Sequence, residues 1–176
     1  MQKRHTDRES YFDEQSQTSK NYYIPYIKEV IGHIPDKVLE VGCGEGGNLL
    51  PFAKAGCRVM GVDIDAMRIE QARAFFAQRH QQGQFIATDI FQLEDKATNF
   101  PLILLHDVIE HIRDKERFLS GLQKHLSADG AVFVGFPAWQ MPFGGHQQIA
   151  HSHLVSSYSL LLQQCGLHCR LHECLL

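Results

Sequence analysis

Paired cysteines of the C-x-x-C type, long apolar runs and an excess of basic residues are all missing from this chain of 176 residues. Its five cysteines (43, 57, 165, 169 and 174) are odd in number, which argues against a disulfide framework and fits free thiols in a reducing cytoplasm. No apolar run approaches the length of a membrane span, and Met1-Gln2-Lys3-Arg4-His5 leads into polar residues rather than a signal-peptide core. With 17 Lys and Arg against 20 Asp and Glu, the net charge of −3 argues against a nucleic-acid partner. No repeat, low-complexity tract or linker divides the chain. Its length and its 44% hydrophobic content suit one globular domain.

What the chain does have is Val38-Leu39-Glu40-Val41-Gly42-Cys43-Gly44-Glu45-Gly46-Gly47, a short apolar run followed by clustered glycines. It reads as a strand, a tight turn and a helix start, where backbone can approach a ligand closely. Upstream, the first twenty or so residues are polar, with Tyr11-Phe12 as the only apolar island. Apolar spacing then predicts a helix from Asn21 to Ile34, with Pro25 in a first turn or at a kink. Residues 1–35 thus form an N-terminal helical segment, and 36–176 form the body of the domain.

Downstream, strands and helices alternate. Helices are predicted over Asn48 to Ala55, Ala66 to Gln82 and Lys115 to Leu126. Strands are predicted over Arg58 to Asp63, Gln84 to Asp89, Phe100 to Leu105 and Ala131 to Phe136, with Ser127 to Gly130 as a turn. Ser156 to Gln164 reads as a last helix and Leu167 to Leu176 as one more strand. Continuous apolar strands alternating with helices indicate an α/β fold, a doubly wound and mostly parallel sheet with helices on both faces.

Ligands of such sheets sit beyond the carboxyl ends of the strands, where Glu40, Asp63, Asp89 and Asp107 all fall. Asp63 stands about twenty residues after the glycines, where an acid accepts hydrogen bonds from ribose hydroxyls. Gly42, Gly44 and Gly47 also satisfy the dinucleotide pattern G-x-G-x-x-G, so the turn alone fits either a nicotinamide cofactor or S-adenosylmethionine. Glu40 separates the two. A carboxylate there opposes a pyrophosphate but attracts the ammonium group of a bound amino acid. Asp89 offers an acceptor for an adenine amine, between Ile64 and Ile90 as apolar walls.

Over roughly residues 36–170 the chain resembles the class I S-adenosylmethionine-dependent methyltransferases, in the broad group that includes ubiquinone and menaquinone biosynthesis enzymes. Val38 to Gly46 is similar to their first motif and Gly61-Val62-Asp63-Ile64-Asp65 to their second. Thr88-Asp89-Ile90 resembles the segment of their adenine-contacting acid, and Asp107 to Ile112 the segment after their fourth strand. Gly130 to Pro137 resembles their fifth strand. The resemblance implies that Gly42, Cys43 and Gly44 meet the methionine part, Asp63 the ribose and Asp89 the adenine. It also implies that His106 lies near the amino-acid end, and that the segment around Tyr11 to Tyr23 forms a lid with Tyr22 at the cofactor. Such folds end in an antiparallel seventh strand, which this sequence is expected to lack.

The activity implied is methyl transfer to an oxygen or nitrogen of a small-molecule acceptor. Alternatives are a non-catalytic cofactor-binding protein, a metal-assisted RNA methyltransferase and an NAD-dependent oxidoreductase. The loop after the fifth strand carries Trp139, Phe143 and His146, suited to clamp an acceptor and take its proton, or equally to pack and brace the loop. Asp107, Glu110 and His111 have the spacing of a metal-binding turn, yet the same residues also cap and pack metal-free turns, and that second role is the one expected of them. Cys165, His168, Cys169, His172 and Cys174 match no zinc spacing. Arg113 to Arg117 reads as a solvated helix start.

Overall fold

The structure is a computed structural model that describes residues 7–93 and 97–136. The described residues contain five strands: β1 (Lys37–Val41), β2 (Arg58–Asp63), β3 (Gln84–Ala87), β4 (Phe100–His106) and β5 (Leu126–Gly135). They pair in the order β3-β2-β1-β4-β5, and every pairing is parallel. The order reverses between β1 and β4, so the carboxyl end of β1 opens at the switch point where α/β sheets bind ligands. This is the α/β architecture expected from the sequence. The predicted helix over 156–164, the strand over 167–176 and the question of a final antiparallel strand lie outside the described residues.

Both sheet faces are covered, as the unbroken apolar strands require. Val38, Val59, Leu102 and Leu104 face one buried cluster. Leu39, Val41, Met60, Val62, Ile103 and Leu105 face the other. Side chains alternate along a strand, so Glu40 shares the face of Val38. Helix α4 (Ala66–Gln78) starts at Asp65, whose carboxylate accepts the Met67 and Arg68 N–H groups. Helix α5 (Lys115–Gln123) starts at Asp114, which accepts from Arg117 N–H, so the Arg113 to Arg117 stretch is indeed a helix start.

Three elements differ from expectation. The N-terminal residues form a helix, α1 (Arg8–Thr18), running through a π turn (Ser19–Tyr23) into α2 (Ile24–Ile31). Its sequence has no amphipathic stripe; the helix is held by Phe12, fully buried against Phe75 and Phe76 with the Arg79 guanidinium 4.5 Å from its ring centre. The π turn delivers Pro25 to the first turn of α2, where its missing N–H costs nothing. The helix after the glycines begins as a 3₁₀ turn (Gly47–Leu49) before α3 (Leu50–Lys54). The predicted turn at Ser127 to Gly130 is part of β5: Phe100 pairs with Leu126 and Leu102 with Ala131, so the extra residues form a bulge within the ladder.

Candidate functional site

The glycine turn is built by two backbone constraints. The N–H groups of Gly42 and Cys43 both donate to the Val62 carbonyl, at 2.8 and 3.1 Å, folding the chain back over the end of β2. Gly42 sits at φ +71°, and a Cβ there would stand 2.4 Å from Val108 Cγ2, so the turn packs directly on the segment after β4. At Gly47 a Cβ would come 2.6 Å from the Phe12 carbonyl oxygen, which brings α1 onto the turn.

Two carboxylates control the turn from below. Asp63, at the end of β2, accepts from Gly44 N–H through Oδ2 at 2.8 Å and from Asp65 N–H through Oδ1 at 2.9 Å. A carboxylate has about four acceptor positions, so each oxygen keeps one for a further donor. Glu40 is only 1% exposed; its Oε1 accepts from Asn48 Nδ2 at 2.7 Å, while Oε2 has no hydrogen-bond partner among the described residues. Burial pushes its carboxyl up to about 8, and the charge of Asp63 adds to this while the Asn48 N–H opposes it. The Cys43 thiol is buried in the core and pushed well up, first by burial and then by Glu40 and Asp63. Only its backbone can therefore face a ligand.

Of the remaining expected residues, Ile64, Asp89, Ile90 and His106 lie at or just after the carboxyl ends of β2, β3 and β4. Ile64 is 82% exposed, an apolar side chain standing beyond β2, whereas Ile90 is buried in the second core cluster. Asp89 is exposed and accepts from Phe91 N–H at 3.0 Å, capping the 3₁₀ turn Ile90–Gln92. His106 ends β4, its ring 5.5 Å from that of Tyr23 in the π turn. Its Nδ1 lies 3.7 Å from Asp107 Oδ2, and Asp107 adopts φ +54°, a strained conformation for a residue with a side chain. Tyr22 is exposed on the N-terminal segment. His146, Trp139, Phe143 and the C-terminal Cys and His set lie outside the described residues.

Asp107, Glu110 and His111 flank and enter the 3₁₀ turn Ile109–His111. Among the described residues no group of three His, Cys, Asp or Glu is placed to hold a metal ion. Sequence reasoning missed Asn48 and Ser19, which lie beneath the turn. An asparagine at a helix start reads as a cap, and a serine in a polar stretch carries no signal. Glu45 was missed as well; it is buried and lies 3.1 Å from Arg8 Nη1 and 3.7 Å from Arg68 Nε.

The sequence profile of a family described as "Methyltransferase domain" matches residues 39–132, more than half of the chain. The chain belongs to this methyltransferase-domain family. Among its relatives, the ubiquinone biosynthesis O-methyltransferase of Bartonella quintana is 32% identical over 118 residues, covering 64% of this chain and 48% of that protein. The enzyme of the same name from Brucella ovis is 33% identical over 98 residues, 56% of this chain and 40% of that protein. The chain spans about half the length of the curated relatives it matches. Among solved structures, PKMT2 from Rickettsia typhi in complex with AdoHcy is 28% identical with a TM-score of 0.57, covering 66% of this chain and 25% of that one. The plantazolicin methyltransferase BpumL, solved with a triazolic desmethylPZN analogue and SAH, has a TM-score of 0.59 over 72% of this chain and 50% of its own. At 22% identity that second likeness bears on the fold alone.

Proposed function

We propose that this chain transfers a methyl group from S-adenosylmethionine to an oxygen or nitrogen atom of a small-molecule acceptor. The observation that carries this reading is Glu40, buried beside the glycine turn with Oε2 lacking a donor among the described residues. Beside a pyrophosphate Glu40 would face like charge if ionised and would otherwise keep its proton, so neither state gives an ion pair. An ammonium group instead supplies a donor to Oε2 and a charge that favours the ionised carboxylate, displacing the proton that burial holds there. The solved neighbour bound to AdoHcy supports the same cofactor, and the relatives named as ubiquinone biosynthesis O-methyltransferases favour an oxygen acceptor.

The residues divide the cofactor between them. The backbone of Gly42, Cys43 and Gly44 lines the methionine part, and the open acceptor positions of Asp63 receive the ribose hydroxyls. Asp89 accepts from the adenine amine, and the exposed Ile64 gives its ring an apolar wall beside Ile90. His106 lies at the amino-acid end, with Tyr22 and the N-terminal helical segment as the lid. When bound, the cofactor supplies a methyl group on a sulfonium, which leaves without covalent help from the protein. The chain's own work is alignment of the acceptor and removal of its proton. His146 is the proposed base. Cysteine usage supports a cytoplasmic setting, and among the described residues no helix is long and apolar enough to cross a membrane.

Isothermal titration of the full chain with S-adenosylmethionine and with NAD tests the cofactor. Binding of S-adenosylmethionine but not NAD is expected; binding of NAD alone would overturn the reading. Transfer is tested with radiolabelled cofactor and ring-hydroxyl acceptors such as catechol. Tight cofactor binding with no turnover across acceptors would mark a binding protein instead.

A further inference from the structure

The N-terminal segment and the glycine turn meet along a buried polar seam. Ser19, fully buried in the π turn, donates its hydroxyl to the Asn48 carbonyl over 2.8 Å. Asn48, itself 1% exposed, donates its side-chain N–H to Glu40 Oε1 over 2.7 Å. One helical turn before Ser19, Gln15 lies on Gly47, where a Cβ would come 2.9 Å from Gln15 Oε1. Three polar oxygens along this seam, Gln15 Oε1, Asn48 Oδ1 and Glu40 Oε2, are buried without a hydrogen-bond partner among the described residues. Buried polar atoms without partners are costly, and native proteins rarely keep several in one place.

We propose that Asn48 is the positioning residue for Glu40 and that Ser19 sets Asn48, so that the N-terminal segment governs the grip on the cofactor's ammonium group through these two residues. The proposal rests on the cofactor reading above. By holding Oε1, the Asn48 amide leaves Oε2 as the oxygen presented to an ammonium. That arrangement requires the 3₁₀ turn Gly47–Leu49 to stay seated, and the Ser19 hydroxyl is what fastens its Asn48 carbonyl from the other side. Docking of the N-terminal segment and binding of the amino-acid end of the cofactor are thereby coupled. The adenosine end is not.

Two ligands separate these ends: S-adenosylhomocysteine, and 5′-methylthioadenosine, which keeps the nucleoside thioether but lacks the amino acid. Titration calorimetry on the full chain should find Ser19→Ala and Asn48→Leu weaker for S-adenosylhomocysteine by about tenfold, the scale of one lost buried hydrogen bond. Binding of 5′-methylthioadenosine should be unchanged, which also reports that each variant is folded. If Asn48→Leu fails to fold, Ser19→Ala carries the test. In a Glu40→Gln background, Ser19→Ala should cost nothing further, because its effect passes through Glu40. Equal losses for both ligands, an unchanged affinity for S-adenosylhomocysteine, or additive effects of Ser19→Ala and Glu40→Gln would overturn the proposal. Failure of the unmodified chain to bind either ligand would instead remove the cofactor reading itself, and the proposal with it.

Discussion

Gly44 N–H donates to Asp63 Oδ2 over 2.8 Å, tying the crest of the glycine turn to the end of the neighbouring strand. The second oxygen of the same carboxylate holds Asp65 N–H at 2.9 Å, and Asp65 in turn caps α4. One side chain thus fixes the turn, the strand end and the helix start. The residue proposed to hold the ribose is also the residue that shapes the pocket around it.

Asp63→Ala should therefore act twice. Loss of two charge-assisted hydrogen bonds should lower stability by about 3 kcal/mol, read from urea denaturation without ligand. Affinity for S-adenosylhomocysteine should fall further than this loss of order explains. Asp63→Asn keeps an acceptor for one of the two N–H groups and should lie between. Equal stability of Asp63→Ala and the unmodified chain would show that the turn is held by its other bonds.

Glu40 gives folding a pH dependence whose sign follows from its burial. Its folded value of about 8 lies above the ordinary value of 4.5, so the stabilising contribution is fully present below 4.5 and is lost as pH rises through 8. Between these limits the unfolded chain releases the proton while the folded chain keeps it. Stability should fall across this window by about 3–5 kcal/mol at 1.36 kcal/mol per unit. Asp63 and Cys43 are the titratable groups coupled to Glu40, and Cys43, being raised from 9.0, acts only at higher pH. Glu40→Gln should flatten the curve between pH 5 and 8 and be the more stable form at pH 8. Parallel curves for the two proteins would refute this.

Phe12 is the one fully buried apolar anchor of the N-terminal helix. Phe12 is fully buried between Phe75 and Phe76, and Arg79, which lies over it, also pairs with Asp13 at 2.7 Å and Glu9 at 3.4 Å on α1. Phe12→Ala should cost about 3–5 kcal/mol if α1 stays docked. Because that exceeds what the exposed ion pairs return, release of α1 is the expected outcome. Hydrogen exchange should then rise across 8–31 while β1 and β4 stay protected. Uniform loss of protection would show instead that α1 and the sheet unfold as one unit.

The sheet and its acids were legible because β1, β2 and β4 are largely apolar runs that end where the sheet meets solvent, and Glu40 and Asp63 fall at those ends. Helix α1 was not, since a single buried Phe12 among polar residues leaves no periodic trace. The bulge in β5 escaped for a similar reason: Ser127 to Gly130 carries turn chemistry, and only its pairing with β4 makes it part of a strand. Asn48 and Ser19 are 29 residues apart, and neither has meaning until the fold joins them. Local pattern reveals what the backbone must do locally. It is silent on contacts made by one long-range pair.

Gly42 separates backbone strain from steric contact in a single experiment. At φ +71° any side chain costs about 1–2 kcal/mol, and a Cβ there would also stand 2.4 Å from Val108 Cγ2. Gly42→Ala should therefore destabilise by more than the strain alone and push the segment after β4 away from the turn. Val108→Ala removes the obstructing methyl group and loses its own packing, since Val108 is partly buried against the second core cluster. In the double variant the contact is relieved but the strain stays, so the sum of single effects should exceed the double effect by about 1–2 kcal/mol. Cofactor affinity should follow the same pattern, because the atom that moves is the backbone lining the methionine part. Strictly additive effects would mean that Val108 yields freely and that only the left-handed backbone at Gly42 matters.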